Sequence, residues 1–399
     1  MVRKEVIAVL TGAFMVVAGC GSPEKPFGGS AEIVTSLRPT GDWGSLGRGS
    51  DVWAVVRCRI PLDTTVDEFA PDTTRLTATS SDLVGWLEPV SDYFDRWSQG
   101  DYRPEFVIAN DVEVDTAGDS TTCVERALAT LTDDPTGVLV VATAPLHPDG
   151  PGGWGRVGER CAQPCAARES GRAVFVGAAD FLPGWEGSPA LDLVEHELGH
   201  ALGWSHSSTA EGAAAGGHLY DSPYDVMSAS DAPRRIDPER RHAPGVLALD
   251  ALMSGWFEDD EVLVLDWAAR PAGEWTDAVP IASTDSMAQR GRPRILVIAL
   301  GSGRFATVEL VADRADNDHL VRSGVVVHVV DTVDRPWNER PSVLMRSTIG
   351  ELIATQSTTA VFTDEAFSVK VGLVVENPDG SVVADLRVRR DEPSAVPRD

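Results

Sequence analysis

Residues 195 to 206 read Glu-His-Glu-Leu-Gly-His-Ala-Leu-Gly-Trp-Ser-His, so His196, Glu197, His200, Gly203 and His206 fit the spacing HExxHxxGxxH. On a helix, positions i and i+4 share one face, about 6 Å apart at Cβ, so His196 and His200 can present two imidazole nitrogens to one cation. Glu197 stands at the edge of that face. Gly203 accepts the left-handed φ by which a chain leaves a helix sharply, and that turn returns His206 as the third ligand. Three neutral imidazoles on a tetrahedral Zn²⁺ leave the fourth position to water, which the cation acidifies toward a pKa of about 7. Glu197, next to the first ligand but kept off the metal by helix geometry, is the expected general base and then general acid. The reaction so described is peptide-bond hydrolysis without a covalent intermediate.

Sixteen residues after His206 begins Ser222-Pro223-Tyr224-Asp225-Val226-Met227-Ser228, which places Met227 twenty-one residues beyond the last histidine. Together with the histidine motif this resembles the metzincin peptidases, in which a Met-containing turn floors the metal site. The resemblance makes Met227 that residue. Some metzincins supply a tyrosine ligand two positions later; Ala229 stands there, so no such ligand is expected. The segment Val90 to Gly100, the Asp-rich approach Asp221 to Met227 and the stretch His242 to Trp256 are similar to the immune inhibitor A and gametolysin families. Thr307 to Leu310 and Gly324 to Val329 are similar to the β domain those families carry. The likeness covers residues 52 to 390, and its specific parts are the zinc motif and the Met turn. It implies an α+β fold: a metzincin-like catalytic domain, with a mixed twisted sheet and the active-site helix, then a C-terminal antiparallel β-sandwich-like domain. Where those families carry a propeptide, this sequence shows only a short linker.

The elements that must position these residues follow from periodicity. Apolar β-branched runs at Val52–Ile60, 105–109, 138–143 and 173–177 alternate with helical patterns over Asp82–Trp97, 121–131 and 189–203, which argues for a sheet covered by helices. After Trp256, short strand-like runs divided by turn signals argue for an antiparallel β domain. The expected organisation is a signal peptide over 1–19, a linker over 20–50, a metallopeptidase domain over 51–257, a β domain over 258–391 and a tail over 392–399.

Composition narrows the partners. Asp and Glu number 61 against 34 Lys and Arg, a net charge of −27 over 399 residues that repels phosphate backbones and anionic bilayers. Nucleic acid is excluded on that ground; a protein or peptide substrate is expected. Arg3 and Lys4, an apolar stretch and then Val17-Ala18-Gly19-Cys20 resemble a bacterial lipobox. That implies cleavage before Cys20, its lipidation, and an exported chain touching membrane only through the anchor. Four cysteines remain, Cys58, Cys123, Cys161 and Cys165, an even number that reads as two disulfides with three pairings. Cys161–Cys165 locally with Cys58–Cys123 across the core is the expected pair; a zinc site on the CxxxC pair is the alternative, with no second ligand pair nearby.

Several lesser features carry weaker readings. Gly152 to Gly158 precedes a strand, and in metzincins an exposed edge strand binds substrate, so this stretch is a candidate for that role beside a plain surface loop. Asp313, Asp316 and Asp318 could ligate Ca²⁺ but match no complete loop motif, so a solvated acidic turn is preferred. His218 and His328 are unlinked to the motif. Arg234, Arg235, Arg240 and Arg241 reverse the local charge after the Met turn, where metzincins form a specificity pocket; they either select acidic side chains or pair with Asp231, Asp237 and Glu239. Beside the enzyme reading stands a catalytically silent binding protein of the envelope, which would have no physical need for Glu197.

Overall fold

The computed structural model describes residues 46–60, 75–114, 119–144, 152–159, 165–178, 191–209, 221–229, 243–266, 270–284, 292–301, 304–312, 324–331, 342–345, 360–363, 367–378 and 381–391. The fold is mixed α/β, with three sheets and few helices. The first sheet is built from β1 (Gly49–Arg59), β2 (Tyr102–Ile108), β3 (Val112–Glu113), β4 (Gly137–Ala142), β5 (Gly153–Arg156) and β6 (Ala173–Val176), in the order β2-β1-β4-β6-β5 with β3 also on β1. All its pairings are parallel except β5 on β6. Such a sheet is covered on both faces, and β4 is buried from end to end.

Period-two alternation sorts the side chains. Trp53, Val55, Leu139, Val141, Val174 and Val176 enter the larger core; Ala54, Val56, Cys58, Val138, Val140 and Phe175 enter a second one. The larger core is covered by α1 (Ser80–Trp97), which opens on a capping box. There the Thr79 amide donates to Asp82 Oδ2 (2.8 Å) and the Asp82 amide to Thr79 Oγ1 (3.2 Å). α2 (Ser120–Thr130) covers the second core, and a disulfide from Cys123 reaches Cys58 of β1. That is the expected cross-core pair. Cys165 is disulfide-bonded too, while Cys161 lies outside the described residues.

α3 (Ala167–Ser170), α4 (Leu191–Leu202) and α5 (Ala248–Ser254) are the other α-helices among the described residues. The second sheet joins β7 (Ser207–Thr209), β8 (Val262–Asp266), β10 (Ile295–Gly301), β11 (Arg304–Val311), β12 (Gly324–Asp331) and β13 (Ser342–Met345), in the order β7-β13-β12-β11-β10-β8. The third runs β14 (Ala360–Thr363), β15 (Phe367–Glu376), β16 (Val382–Arg390) and β9 (Val279–Ala282), antiparallel throughout. Leu296, Ile298, Val308, Leu310 and Val325 meet Phe367, Val369, Leu386 and Val388 in a third core between these two sheets. The sheet-rich second half expected from the turn spacing is present. The fold also begins earlier than expected: Leu46 packs on the larger core and the Gly47 carbonyl accepts from Trp256 Nε1. No helix among the described residues is long and apolar enough to cross a membrane.

Candidate metal centre

Leu191, Val194, Leu198, Ala201 and Leu202 form the stripe by which α4 packs into the larger core. The helix then stops at Gly203, whose φ of +95° places it in the left-handed region assigned to it above. The Trp204 amide donates back to the Gly199 carbonyl (2.9 Å). At this end the buried Arg172 donates Nε to the Ala201 carbonyl (3.1 Å) and Nη1 to Asp51 Oδ2 (2.7 Å), with its guanidinium 4.8 Å over the Trp53 ring. A cation there complements the helix dipole, and Asp51 offsets the cost of burying it.

The turn brings His206 back to His196 and His200. His196 Nδ1 lies 2.8 Å from the Val226 carbonyl and His200 Nδ1 2.9 Å from the Trp204 carbonyl. A carbonyl only accepts, so each Nδ1 carries the proton and each Nε2 keeps a lone pair. Both face His206 Nε2, which lies 2.9 Å from His200 Nε2 and 3.2 Å from His196 Nε2. Ligands on a tetrahedral cation with bonds of about 2.0–2.1 Å stand about 3.3 Å apart. Three imidazole nitrogens at close to this spacing, two of them held as acceptors, make a donor set that fits a metal ion. Burial lowers the His196 pKa, and burial with mutual repulsion lowers His200 to about 3 and His206 to about 2. All three are therefore neutral at neutral pH, as ligation requires. Among the described residues this is the one His, Cys, Asp and Glu group that could hold a metal ion, its ligand atoms all within 4.8 Å of one another.

Met227 is fully buried beneath the helix. A Cβ built on Gly199 would stand 2.7 Å from the Trp204 ring and closer still to the Met227 sulfur, so only glycine lets the turn approach here. The neighbouring Val226 carbonyl orients His196, and the Met227 carbonyl accepts from the Ser207 amide (3.2 Å), directly after the third ligand. Glu195, buried on α4, accepts from the Ala243 amide (2.7 Å) and ties the chain beyond the turn to the helix.

The Gly152–Gly158 stretch forms β5, the antiparallel outer strand of the first sheet. A Cβ on Gly153 would meet the Phe175 carbonyl at 2.6 Å and Glu197 Oε1 at 3.1 Å. One on Gly155 would meet His200 Cβ and the Glu197 carbonyl carbon at 2.9 Å, and the carbonyl oxygen closer still. Glycines at alternate positions thus let the strand lie directly on the motif helix, with the buried Glu197 between them. Beside His200 and Trp204 opens a cavity of about 720 Å³, bounded by residues 155–159 and 168–171.

Below the Met turn lies a set of buried acids from three elements: Asp225, Asp250 of α5 and Glu309 of β11. Glu309 Oε2 accepts from the Ala248 amide (2.8 Å). Burial raises Asp225 to about 7 and Glu309 to about 8, and lifts Asp250 well above the carboxylate range. His328 of β12 is buried as well and held neutral, its pKa lowered to about 3.

The structure thus brings together His196, Glu197, His200, Gly203, His206 and Met227. Cys20, Cys161, His218, Asp313, Asp316, Asp318, Arg234, Arg235, Arg240 and Arg241 lie outside the described residues. Reading the sequence missed Arg172, Glu195, Gly199 and the acids at 225, 250 and 309. Gly199 alone left a signal, as the small residue inside the motif. No protein-family model matches the chain, and no curated protein matches it in sequence.

Proposed function

We propose that the chain is a zinc-dependent endopeptidase of metzincin type, exported and tethered through Cys20, acting on extracellular or envelope proteins. The observation that carries this reading is the convergence of three Nε2 atoms, two of them left as acceptors because their Nδ1 protons are fixed by carbonyls, beside Glu197. Three neutral imidazoles suit zinc, which supplies Lewis acidity to lower the pKa of water and to polarise the scissile carbonyl. His196, His200 and His206 hold the ion. Glu197 takes the proton of the attacking water and returns it to the leaving amine. β5 pairs only with β6 among the described strands, so an extended peptide can add along its other edge, where main-chain hydrogen bonds set its register.

Glu197→Ala and His206→Ala test the reading with two readouts. The first removes the base but no ligand, so bound zinc measured by mass spectrometry stays stoichiometric while cleavage falls by about 10²–10⁴. The second loses the metal as well. Equal cleavage by Glu197→Ala and the wild type refutes the mechanism, and full zinc occupancy in His206→Ala refutes the third ligand.

A further inference from the structure

Two of the three histidines depend on the last turn of α4: His200 lies in it and His206 follows its exit, so its backbone sets where their rings can meet. The final carbonyls of a helix have no donor within it, and a buried one needs a partner from elsewhere. The Gly199 carbonyl accepts from the Trp204 amide (2.9 Å) and the His200 carbonyl from the Gly203 amide (2.9 Å). The Ala201 carbonyl accepts instead from Arg172 Nε (3.1 Å), a side chain that reaches it from the residue before β6. The Trp204 carbonyl that orients His200 closes the same turn.

Arg172 is held at both ends. Its amide donates to Ser170 Oγ (3.1 Å) and its carbonyl accepts from the Val138 amide of β4 (3.2 Å). At the other end Nη1 donates to Asp51 Oδ2 (2.7 Å), and the guanidinium lies over the Trp53 ring. Asp51 is fixed in turn: its Oδ2 also accepts from the Tyr102 hydroxyl (3.1 Å) and its Oδ1 from the Thr136 hydroxyl (3.1 Å). Arg172 and Tyr102 are both buried, so water does not compete for these bonds. The planar fork of a guanidinium holds its acceptors in one mutual geometry, which a rotating ammonium does not. The first residues of β1 and β2 thereby fix the end of the motif helix through a single side chain.

We propose that Arg172 is a positioning residue for the candidate metal centre: its guanidinium fixes the Gly199–Trp204 turn, so that His200 keeps its orientation and His206 returns to meet it. The proposal rests on the reading of the three histidines as zinc ligands but not on cleavage, so the two can fail apart. Zinc affinity of the full chain is measured by competition with a chelator, and the Co²⁺-substituted protein by its visible absorption, well below the melting temperature of every variant. Arg172→Lys keeps a positive charge beside Asp51 but loses the fork. It lowers zinc affinity about tenfold, the loss typical of groups that orient ligands, and shifts the Co²⁺ bands. Asp51→Asn, which leaves Arg172 in place without its anion, gives a smaller loss in the same direction. Cys58→Ala with Cys123→Ala destabilises the fold from the second core, on the other face of the first sheet, and leaves both readouts at their wild-type values. Unchanged affinity and bands in Arg172→Lys or in Asp51→Asn, or an equal loss in the disulfide variant, overturn the proposal. Wild-type protein that binds zinc and cleaves no peptide removes the peptidase reading; a tenfold loss of zinc affinity in Arg172→Lys then still supports this one.

Discussion

Gly155→Ala probes the contact on which the cleft depends. A Cβ at this position stands 2.9 Å from both His200 Cβ and the Glu197 carbonyl carbon. Carbon atoms in good contact stand about 3.5–4.0 Å apart, so β5 must move off the helix by about 1 Å. Neither neighbour can yield alone: one is helix backbone, and the other belongs to a ring tied at Nδ1 to the Trp204 carbonyl. Overpacking of this kind costs about 1–3 kcal/mol. For a fold of this size, whose unfolding entropy is about 2.1 cal/mol/K per residue, that is roughly 1–4 °C in Tm. If β5 positions substrate as proposed, its displacement by about 1 Å lowers kcat/KM by about a hundredfold, although no histidine of the triad and not Glu197 is altered. The control is Gly85→Ala in α1, where a Cβ meets nothing within 4 Å and the better helix former should leave stability equal or slightly raised. Differential scanning calorimetry, zinc content and peptide cleavage on the two variants decide the matter. A Gly155→Ala protein with wild-type Tm and kcat/KM would show that β5 does not lie on the helix as described.

The buried acids make stability depend on pH. A carboxyl whose pKa is raised in the fold contributes stability only while protonated; that contribution is complete below the usual carboxyl range and is lost as pH rises through about 7 for Asp225 and about 8 for Glu309. Tm should therefore begin to fall near pH 4, where these carboxyls ionise in the unfolded chain, and go on falling to about pH 8, and Glu309→Gln should flatten the fall; parallel curves for variant and wild type would refute this. Cys58 and Cys123 close a loop across a sequence separation of 65, so Cys58→Ala with Cys123→Ala should lower stability by about 4 kcal/mol in denaturant melts. Cys20→Ser should move the protein from membrane to soluble fractions, and unchanged membrane retention would count against the anchor.

The first half of the fold was readable because its signals are local. Period-two apolar runs set β1, β4 and β6, and a one-sided apolar stripe set α1 and α4. The ligand set was readable for the same reason, since i and i+4 spacing and a helix-ending glycine need no tertiary knowledge. Other features are pairings between distant residues. Arg172 reads as an ordinary surface arginine until Ala201 and Asp51 are folded onto it. Glu309 sits in a strand whose even positions face one core and whose odd positions face α5, and the sequence does not say that both faces are covered. β7 is only three residues long and exists because β13, more than 130 residues later, pairs with it.

That last pairing gives the second half a share in the candidate metal site. A boundary near residue 258 separates helices from strands, yet packing runs across it: Val264, Ile295 and Val297 belong to the same core as Leu198 and Met227. The second sheet uses one face for the sandwich and the other for α5 and the Met turn, where Tyr224 and Leu247 meet Val311 and Val326. His206 is followed at once by a strand of that sheet, and the Met turn that orients His196 bonds to the same strand at Ser207. Two of the three histidines are thus held from the side of the β-sheet and one by the end of its own helix. A disturbance of the sheet should therefore reach the metal through His196 and His206 first. In a spectroscopically active Co²⁺-substituted protein it would appear as a change in ligand field before any loss of secondary structure.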